Sequence, residues 1–211
     1  STAVAGFTNM TAISSTGVSR PFDAHRDGFV MGEGAGILVL EERSMAKARN
    51  ATVLAEIMGG ASTADAHHIT APSPGGGGAI TCMEMAIDEA GITTGAIGYI
   101  NAHGTSTPLN DMAEAEAIGK LFGSPGPPVS STKGITGHAL GAAGALEAIA
   151  VIMAIQHRLL PPTAGYTTRD PDMPELMLVH GAPLRWEPAP ALSNSFGFGG
   201  HNSVLVFNKF K

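Results

Sequence analysis

The chain has 211 residues, 44% of them hydrophobic and 14% charged, with a formal net charge of −6, so it can bury a sizeable core. The negative charge and the lack of any run of lysines and arginines argue against nucleic-acid binding. The single cysteine excludes an internal disulfide framework and fits a reducing compartment, so we expect a cytoplasmic protein or one of an organellar stroma or matrix. The opening STAVAGFTNM has no basic region and no cleavage pattern, so no secretory signal is expected, and without an initiator methionine the chain is expected to be part of something longer.

The first third of the chain alternates turn-rich and apolar segments after an opening stretch, residues 1–20, with little periodicity. The predicted order is a loop over 20–36, a strand over 37–42, a charged helix end over 43–50 and a strand over 51–63. The restart of a strand pattern after the charged run places a domain boundary near residue 50.

Helical and strand-like runs alternate through the remainder. The predicted order is a loop over 67–78, a helix over 79–91, a strand over 97–102, a helix over 110–123, a strand and turn over 127–134, a helix over 138–157, a strand over 175–181 and two strands around a glycine turn in 191–208. This alternation predicts an α/β layered fold. The run 139–156 approaches the length of a membrane span, but Glu147 in its middle and its small residues favour a buried helix of a soluble protein.

Three chemically active side chains stand in turns rich in glycine, serine and threonine. His103 lies in NAHGTSTP (101–108), and Lys133 and His138 lie in SSTKGITGHALGAAG (130–144). Because sites in open α/β sheets form at the carboxyl ends of strands, these residues are predicted to be catalytic. The predicted helix after His138 would keep its imidazole neutral, and a neutral imidazole can donate one hydrogen bond to a developing oxyanion.

Other residues have plainer interpretations. Glu147 in an apolar helix needs a cationic partner or a bound proton, and Lys133 is the candidate partner. Cys82 lies inside a helical pattern with no histidine near it, which favours a structural role over a nucleophile. In SFGFGGHN (195–202), a phenylalanine among glycines lines or gates a pocket, or the segment is a plain hairpin turn; the residues alone favour neither.

A metal site is the alternative use of the histidines. His68, His103, His138 and His201 are the candidate ligands, which would make the protein a metal-dependent hydrolase. No HExxH or CxxC spacing supports that set, so no metal is expected.

Three segments together, NAHGTSTP, SSTKGITGHALGAAGALE and NSFGFGGHN, resemble the β-ketoacyl-acyl-carrier-protein synthases of the KAS I/KAS II type, and SRPFDAHRDGFVMGEGAG supports the likeness. The resemblance covers nearly all of the chain but only about the second half of such an enzyme. It implies a thiolase-like fold, an α-β-α-β-α layered sandwich, with residues 1–50 ending the N-terminal half and residues 51–211 forming the C-terminal half. It also implies a homodimer. The loop over 12–19 looks shorter than in typical relatives.

The resemblance implies decarboxylative condensation of malonyl-acyl-carrier protein with an acyl-enzyme thioester in fatty-acid biosynthesis. The nucleophilic cysteine would lie in the preceding half, and the substrates would be carried on the phosphopantetheine of acyl carrier protein, with no cofactor and no metal. The resemblance implies that His103 and His138 form the enolate oxyanion site and that Lys133 positions His103 in a network with Glu147 and Asp111. It also implies that Thr105 and Thr107 bind pantetheine and that Phe29 lines the acyl channel. Phe198 would be a gate and would supply an oxyanion-hole amide.

A second hypothesis from another class is a non-catalytic thiolase-fold subunit or binding module, similar to a chain-length factor, that pairs with an active ketosynthase. Intact His103, Lys133 and His138 argue against it, because a subunit freed from catalysis has no need of all three. In either case, we expect the chain alone to be inactive and to expose an apolar face that promotes aggregation.

Overall fold

A computed structural model describes residues 2–210 of the chain, and six α-helices and eight strands lie within that range. The helices are α1 (Thr2–Asn9), α2 (Arg43–Ala48), α3 (Gly77–Glu89), α4 (Pro108–Phe122), α5 (Lys133–Thr136) and α6 (Ala143–His157). The strands are β1 (Glu56–Ala64), β2 (Tyr99–Asn101), β3 (Pro128–Ser130), β4 (Leu159–Leu160), β5 (Met177–Leu178), β6 (Leu184–Arg185), β7 (Ala191–Gly197) and β8 (His201–Asn208).

Six of these strands form one mixed sheet in the order β1-β8-β7-β2-β3-β5. The pairs β1–β8 and β8–β7 are antiparallel, whereas β7, β2, β3 and β5 run parallel to one another. Strands β4 and β6 form a separate two-stranded antiparallel sheet. The parallel half brings the carboxyl ends of β7, β2 and β3 to the same edge of the sheet.

Alternating side chains divide the core between the two faces of this sheet. Ile100 and Leu192 point to one face, where α3 and α4 pack, and Tyr99 and Ala191 point to the other, where α6 packs. Because successive residues of a strand face opposite sides, apolar residues at adjacent positions mark strands that are covered on both faces. The result is a three-layer α-β-α arrangement, in agreement with the predicted α/β layered fold.

Glycine at position 76 allows α3 to start directly against α4. Gly76 has a φ of 68°, and a Cβ atom there would lie 2.5 Å from the Ala113 carbonyl oxygen of α4. Only a glycine accepts both the left-handed conformation and so close an approach.

The prediction of a strand over 37–42 is wrong. This segment is extended, but within residues 2–210 no strand pairs with it, and Ile37, Val39 and Leu40 are 89%, 88% and 71% exposed. A strand exists only where a neighbour satisfies its backbone hydrogen bonds, and an apolar sequence does not supply that neighbour. Three large apolar side chains of this segment are therefore exposed.

Two helices also differ from the sequence prediction. The weakly periodic start of the chain forms α1, which was not predicted. The apolar helix expected over 138–157 begins at Ala143, after a short 3₁₀ turn over Leu140–Ala142 in which Leu140 has a φ of 51°. A positive φ cannot continue an α-helix, so the start of α6 is displaced away from His138.

The helix α6 packs against the sheet through one face, as a helix of the core does. Glu147 and Val151 face the sheet, whereas Met153 is 46% exposed. By length and composition, the stretch Leu140–His157 would suffice to cross a membrane. Within the fold, however, its buried face packs on the strands and carries a charged residue with an ionic partner.

Candidate active site

The predicted catalytic residues meet at the carboxyl edge of the parallel strands. His103 follows β2, Lys133 follows the neighbouring β3, and Phe198 follows β7. His138 reaches the same place by backbone pairing: its N–H donates to the Val30 carbonyl at 2.7 Å, and its carbonyl accepts from the Gly32 N–H at 3.0 Å. Segments that are far apart in the sequence therefore bring these residues together at one edge of the sheet.

Lys133 is fully buried and uses its ammonium group entirely within the protein. Its Nζ donates to the His103 carbonyl at 2.6 Å, to His103 Nδ1 at 3.3 Å and to Glu147 Oε1. The predicted partnership of Lys133 and Glu147 is thus present in the structure. Since an ammonium has three donors, Lys133 has none left for a substrate and holds His103 in place instead.

The hydrogen bonds assign the tautomer of both histidines. Lys133 can only donate, so His103 Nδ1 is an acceptor and the ring proton of the neutral imidazole lies on Nε2. His138 Nδ1 accepts from the Leu140 N–H at 3.3 Å, which gives the same tautomer. The two rings lie edge to face with centroids 5.2 Å apart, so the two neutral imidazoles are direct neighbours.

Both imidazoles are held in the neutral form. Burial lowers the pKa of His103 well below its usual 6.5, and the charges of Lys133 and His138 lower it further. Burial, followed by the Lys133 charge, lowers the pKa of His138 to about 4. The neutrality predicted for His138 is therefore present, but the expected cause was wrong: α6 begins at Ala143, and burial dominates the shift.

Glu114 on α4 belongs to the site and was missed in the sequence. Its carboxylate accepts from the backbone N–H groups of His103 at 2.9 Å and Gly104 at 2.8 Å, and from Asn194 Nδ2 at 3.1 Å. Burial raises its pKa to about 7, although these donors lower it. A usable signal was the pair Asp111 and Glu114, two carboxylates one helical turn apart beside the buried Ala115.

Asp111 does not join the Lys133 network, so that part of the prediction is wrong. Among the described residues, its carboxylate accepts from the backbone N–H of Phe22 at 2.8 Å and of Ser106 at 3.1 Å, and nothing links it to Lys133. Burial raises its pKa. The rotation of α4 about its axis directs Asp111 to the loop that begins near Phe22, so Asp111 ties the loop after β2 to that segment.

The residues predicted to bind pantetheine and acyl chain flank the histidines. The Thr105 and Thr107 hydroxyls lie 2.9 Å apart in the loop that follows His103. Phe29 is buried, and its ring meets that of His138 edge to face at 5.4 Å. Phe198, at the tip of the turn between β7 and β8, is 42% exposed.

Two further aromatic rings that the sequence analysis did not single out contact these groups. Phe7 of α1 lies 5.2 Å from Phe29 and 6.1 Å from Phe198, measured between ring centroids. Phe196, rather than Phe198, is the ring neighbour of His103, at 6.1 Å. Apolar rings thus cover one side of the two imidazoles.

The four histidines proposed as metal ligands do not come together. In the part of the chain that the structure describes, no group of three or more histidine, cysteine, aspartate or glutamate side chains is arranged to hold a metal ion. His68 and His201 are exposed, and His68 Nδ1 accepts from the backbone of its own loop. Cys82 is buried in α3, where burial raises the pKa of its thiol, as expected of a structural residue.

Comparison with known proteins agrees with this geometry. The family model described as the β-ketoacyl synthase C-terminal domain matches residues 54–167, and that of the N-terminal domain matches residues 1–46. The chain is 48% identical over 215 residues to 3-oxoacyl-[acyl-carrier-protein] synthase 2 of Staphylococcus aureus strain COL. It is 49% identical over 197 residues to chloroplastic 3-oxoacyl-[acyl-carrier-protein] synthase II of Arabidopsis thaliana.

A solved structure, the ishigamide ketosynthase/chain length factor, shares the fold with a TM-score of 0.94 and 40% identity. The match covers 100% of this chain and 51% of that one. The Staphylococcus alignment covers 99% of this chain and 52% of the relative, and the Arabidopsis alignment covers 93% and 36%. This chain therefore spans about half the length, or less, of the relatives it matches.

Proposed function

Because this chain belongs to the β-ketoacyl synthase family, we propose that it is mainly the C-terminal half of a 3-oxoacyl-[acyl-carrier-protein] synthase of the KAS II type. Residues 1–50 end the N-terminal half in this proposal, and residues 51–211 form the C-terminal half. The matched family regions, which end at residue 46 and begin at residue 54, support that division. The nucleophilic cysteine lies outside this chain in this proposal, since Cys82 is buried and burial raises the pKa of its thiol.

The observation that carries the proposal is the pair of neighbouring neutral imidazoles, each with its ring proton on Nε2. Preorganised donors stabilise an oxyanion most strongly when they are buried and need no reorganisation during the reaction. His103 and His138 meet this requirement, since burial keeps both neutral and the contacts of Nδ1 direct the ring proton to Nε2.

The reaction proceeds by covalent catalysis in two stages. The cysteine thiolate of the other half first attacks the carbonyl of the acyl thioester, whose C–S bond breaks to release the pantetheine thiolate of the carrier. The carboxylate of the malonyl thioester then leaves as CO2, and the electron pair of the broken C–C bond forms an enolate whose oxygen accepts from His103 and His138 Nε2–H. Carbon 2 of the enolate attacks the acyl-cysteine carbonyl, and the C–S bond breaks to return the thiolate.

The remaining site residues act around this step. Lys133, paired with Glu147, positions His103 and keeps its tautomer, and Asp111 holds the adjacent loop. Thr105 and Thr107 hydroxyls hold the pantetheine arm. Phe29 lines the acyl channel, and Phe198 gates it and supplies an oxyanion-hole amide.

The proposed partner is acyl carrier protein, which delivers both substrates on phosphopantetheine. The printed names of the curated relatives, which include the acyl carrier protein, support this choice. The complete enzyme is proposed to be a homodimer with no resident cofactor or metal, located in the cytoplasm or in an organellar stroma or matrix.

The test uses an assembled enzyme, which is this chain joined at residue 1 to the part of the Staphylococcus aureus relative that precedes the region aligned with this chain. The assembled enzyme is expected to decarboxylate malonyl-acyl-carrier protein. His103→Ala and His138→Ala should each lower kcat by about 10²–10³-fold, the usual effect of removing one oxyanion donor. His157→Ala, at an exposed position at the end of α6, is the matched control and should leave kcat unchanged. Decarboxylation that survives both active-site substitutions would overturn the proposal.

A second candidate is a chain-length-factor-like subunit without catalysis of its own. The similarity of this chain to the solved ishigamide ketosynthase/chain length factor supports this second hypothesis. Measuring the intact mass of the purified native protein helps to distinguish the synthase from the subunit. One chain of about twice 21.4 kDa that decarboxylates malonyl-acyl-carrier protein supports the synthase. Co-purification of a chain of 21.4 kDa with a separate ketosynthase, and no decarboxylation by the assembled enzyme, would support the subunit.

A further inference from the structure

Asp27 clamps a surface turn formed by residues 14–16. Its Oδ1 accepts from the Ser14 hydroxyl at 2.6 Å and the Thr16 hydroxyl at 3.2 Å. Its Oδ2 accepts from the Ser15 N–H at 3.0 Å, the Ser15 hydroxyl at 2.8 Å and the Thr16 N–H at 3.0 Å. Successive amides and hydroxyls of one turn thus form an anion cradle around this carboxylate. We call Asp27 with Ser14, Ser15 and Thr16 the Asp27 clamp.

The Asp27 clamp keeps its charge at neutral pH. Burial alone would raise the pKa of Asp27, but the donors on Ser14, Ser15 and Thr16 lower it to about 2. Charge-assisted hydrogen bonds are stronger than neutral ones, so the loop and the carboxylate behave as one unit.

The clamp fixes the backbone of the segment that follows it. The Phe29 N–H donates to the Ala12 carbonyl at 2.9 Å, and the Ser14 N–H donates to the Phe29 carbonyl at 2.9 Å. A Cβ atom on Gly28, whose φ is 143°, would lie 2.5 Å from the Ser14 nitrogen. The clamped loop and residues 28–29 therefore pack so closely that neither moves without the other.

The same segment holds His138. The Phe29 ring lies against the His138 imidazole, and the backbones of Val30 and Gly32 pair with the backbone of His138 on both sides. A Cβ on Gly32 would lie 2.1 Å from the Thr136 carbonyl oxygen, so this contact is also close. Lys133 and Glu114, which hold His103, make no hydrogen bond to the His138 side chain among the described residues.

We propose that Asp27 is a positioning residue for His138, acting through residues 28–32. The inference rests on the proposed function, because it assigns Asp27 to the support of one of the two enolate donors. Asp27 does not touch substrate. Its loss frees the Ser14–Thr16 turn, and the displacement reaches the imidazole through Phe29 and the paired backbone.

The test compares Asp27→Asn with Asp23→Asn in the assembled enzyme. Asp23 is a matched control, because its carboxylate also accepts from backbone and hydroxyl donors but clamps Thr167 and Thr168 instead. Asp27→Asn should lower kcat for malonyl decarboxylation about tenfold, with KM within about twofold, since small misplacements of a catalytic group cost factors of this order. Asp23→Asn should leave kcat within about twofold.

Imidazole ¹⁵N resonances, recorded without substrate, give the readout that a purely structural role would not move. Asp27→Asn should shift the His138 signals and leave those of His103 in place. Unchanged His138 signals, or equal shifts in both aspartate variants, would overturn the proposal.

A second variant, Ser15→Ala, removes one exposed hydroxyl from the clamp. It should shift the His138 signals in the same direction but by less, and it tests the proposal if Asp27→Asn fails to fold. An assembled enzyme without decarboxylase activity would refute the proposed function, whereas the resonances would still decide whether the clamp positions His138.

Discussion

The two histidines of the site are held by different kinds of interaction. His103 is fixed by charged side chains from two helices, with Lys133 at its ring and carbonyl and Glu114 at its backbone N–H. His138 is fixed by backbone pairing with Val30 and Gly32 and by an aromatic ring. Burial keeps both imidazoles neutral, but the two residues are held in position in two different ways.

This difference predicts which substitutions will disturb each histidine. A buried charge stabilises its neighbours only while its partner is present, and removing one partner leaves the other uncompensated. Backbone pairing and ring packing depend on shape rather than on charge. His103 should therefore respond to changes in the charges that contact it directly, and His138 to changes in the packing and backbone of residues 28–32.

The largest effect is expected from Lys133→Ala. Glu147 would be left as a buried charge without a partner, which costs about 3–5 kcal/mol in free energy of unfolding. His103 would also lose the contact that fixes its tautomer, so decarboxylation should fall at least about 100-fold. Urea unfolding and malonyl decarboxylation by the assembled enzyme measure the two effects.

Lys120→Ala is the matched control for that experiment, because Lys120 is an exposed lysine of α4 paired with Glu116. It should cost no more than about 1 kcal/mol. Equal destabilisation by the two substitutions would contradict the ionic support of His103.

A smaller effect is expected from Phe29→Leu, which removes ring packing beside His138. The free energy of unfolding should fall by about 1–2 kcal/mol, and decarboxylation by about tenfold. The His138 ¹⁵N signals should move while those of His103 stay. Phe122→Leu, at a partly buried aromatic residue elsewhere in the core, should cost similar stability without either shift. If the signals of both histidines move in Phe29→Leu, then His103 and His138 are not held in position independently.

The smallest effect is a change in the slope of stability with pH. The pKa of His138 lies at about 4 instead of 6.5, so between these values the unfolded chain binds the extra proton and stability falls as pH falls. Glu114 acts in the opposite direction, because its pKa is raised from 4.5 to about 7 and its contribution is lost as pH rises through that range.

Two variants separate these contributions. His138→Gln should flatten the loss of stability on acidification, and Glu114→Gln should steepen it, each by at most about 1.4 kcal/mol per pH unit. Urea unfolding between pH 4.5 and 7 measures the slopes. A slope equal to that of the parent in both variants would mean that neither group titrates as described.

The sequence was sufficient to identify His103, Lys133 and His138 because each stands in a turn between a strand pattern and a helix pattern. The carboxyl ends of parallel strands share one edge of a sheet, so local pattern was enough to predict that these residues meet. The ion pair of Lys133 and Glu147 followed from the cost of an unpaired carboxylate in an apolar helix.

Contacts that depend on the orientation of whole elements could not be predicted. Which of Asp111 and Glu114 reaches the histidine depends on the rotation of α4 against the sheet, and the sequence analysis assigned only Asp111. Whether residues 37–42 become a strand depends on a neighbour that the segment itself does not encode. The neutrality of His138 was predicted, but its cause lay in burial by distant residues rather than in a helix terminus.

The burial of Cys82 makes chemical labelling of this protein simple to interpret. The chain has one cysteine, it is 0% exposed, and its thiol is kept protonated by a raised pKa. Alkylating reagents attack the thiolate, so the folded chain should be silent towards them. Any rapid incorporation of label into the assembled enzyme then counts cysteines contributed by the other half, and slow incorporation at Cys82 reports the opening of α3.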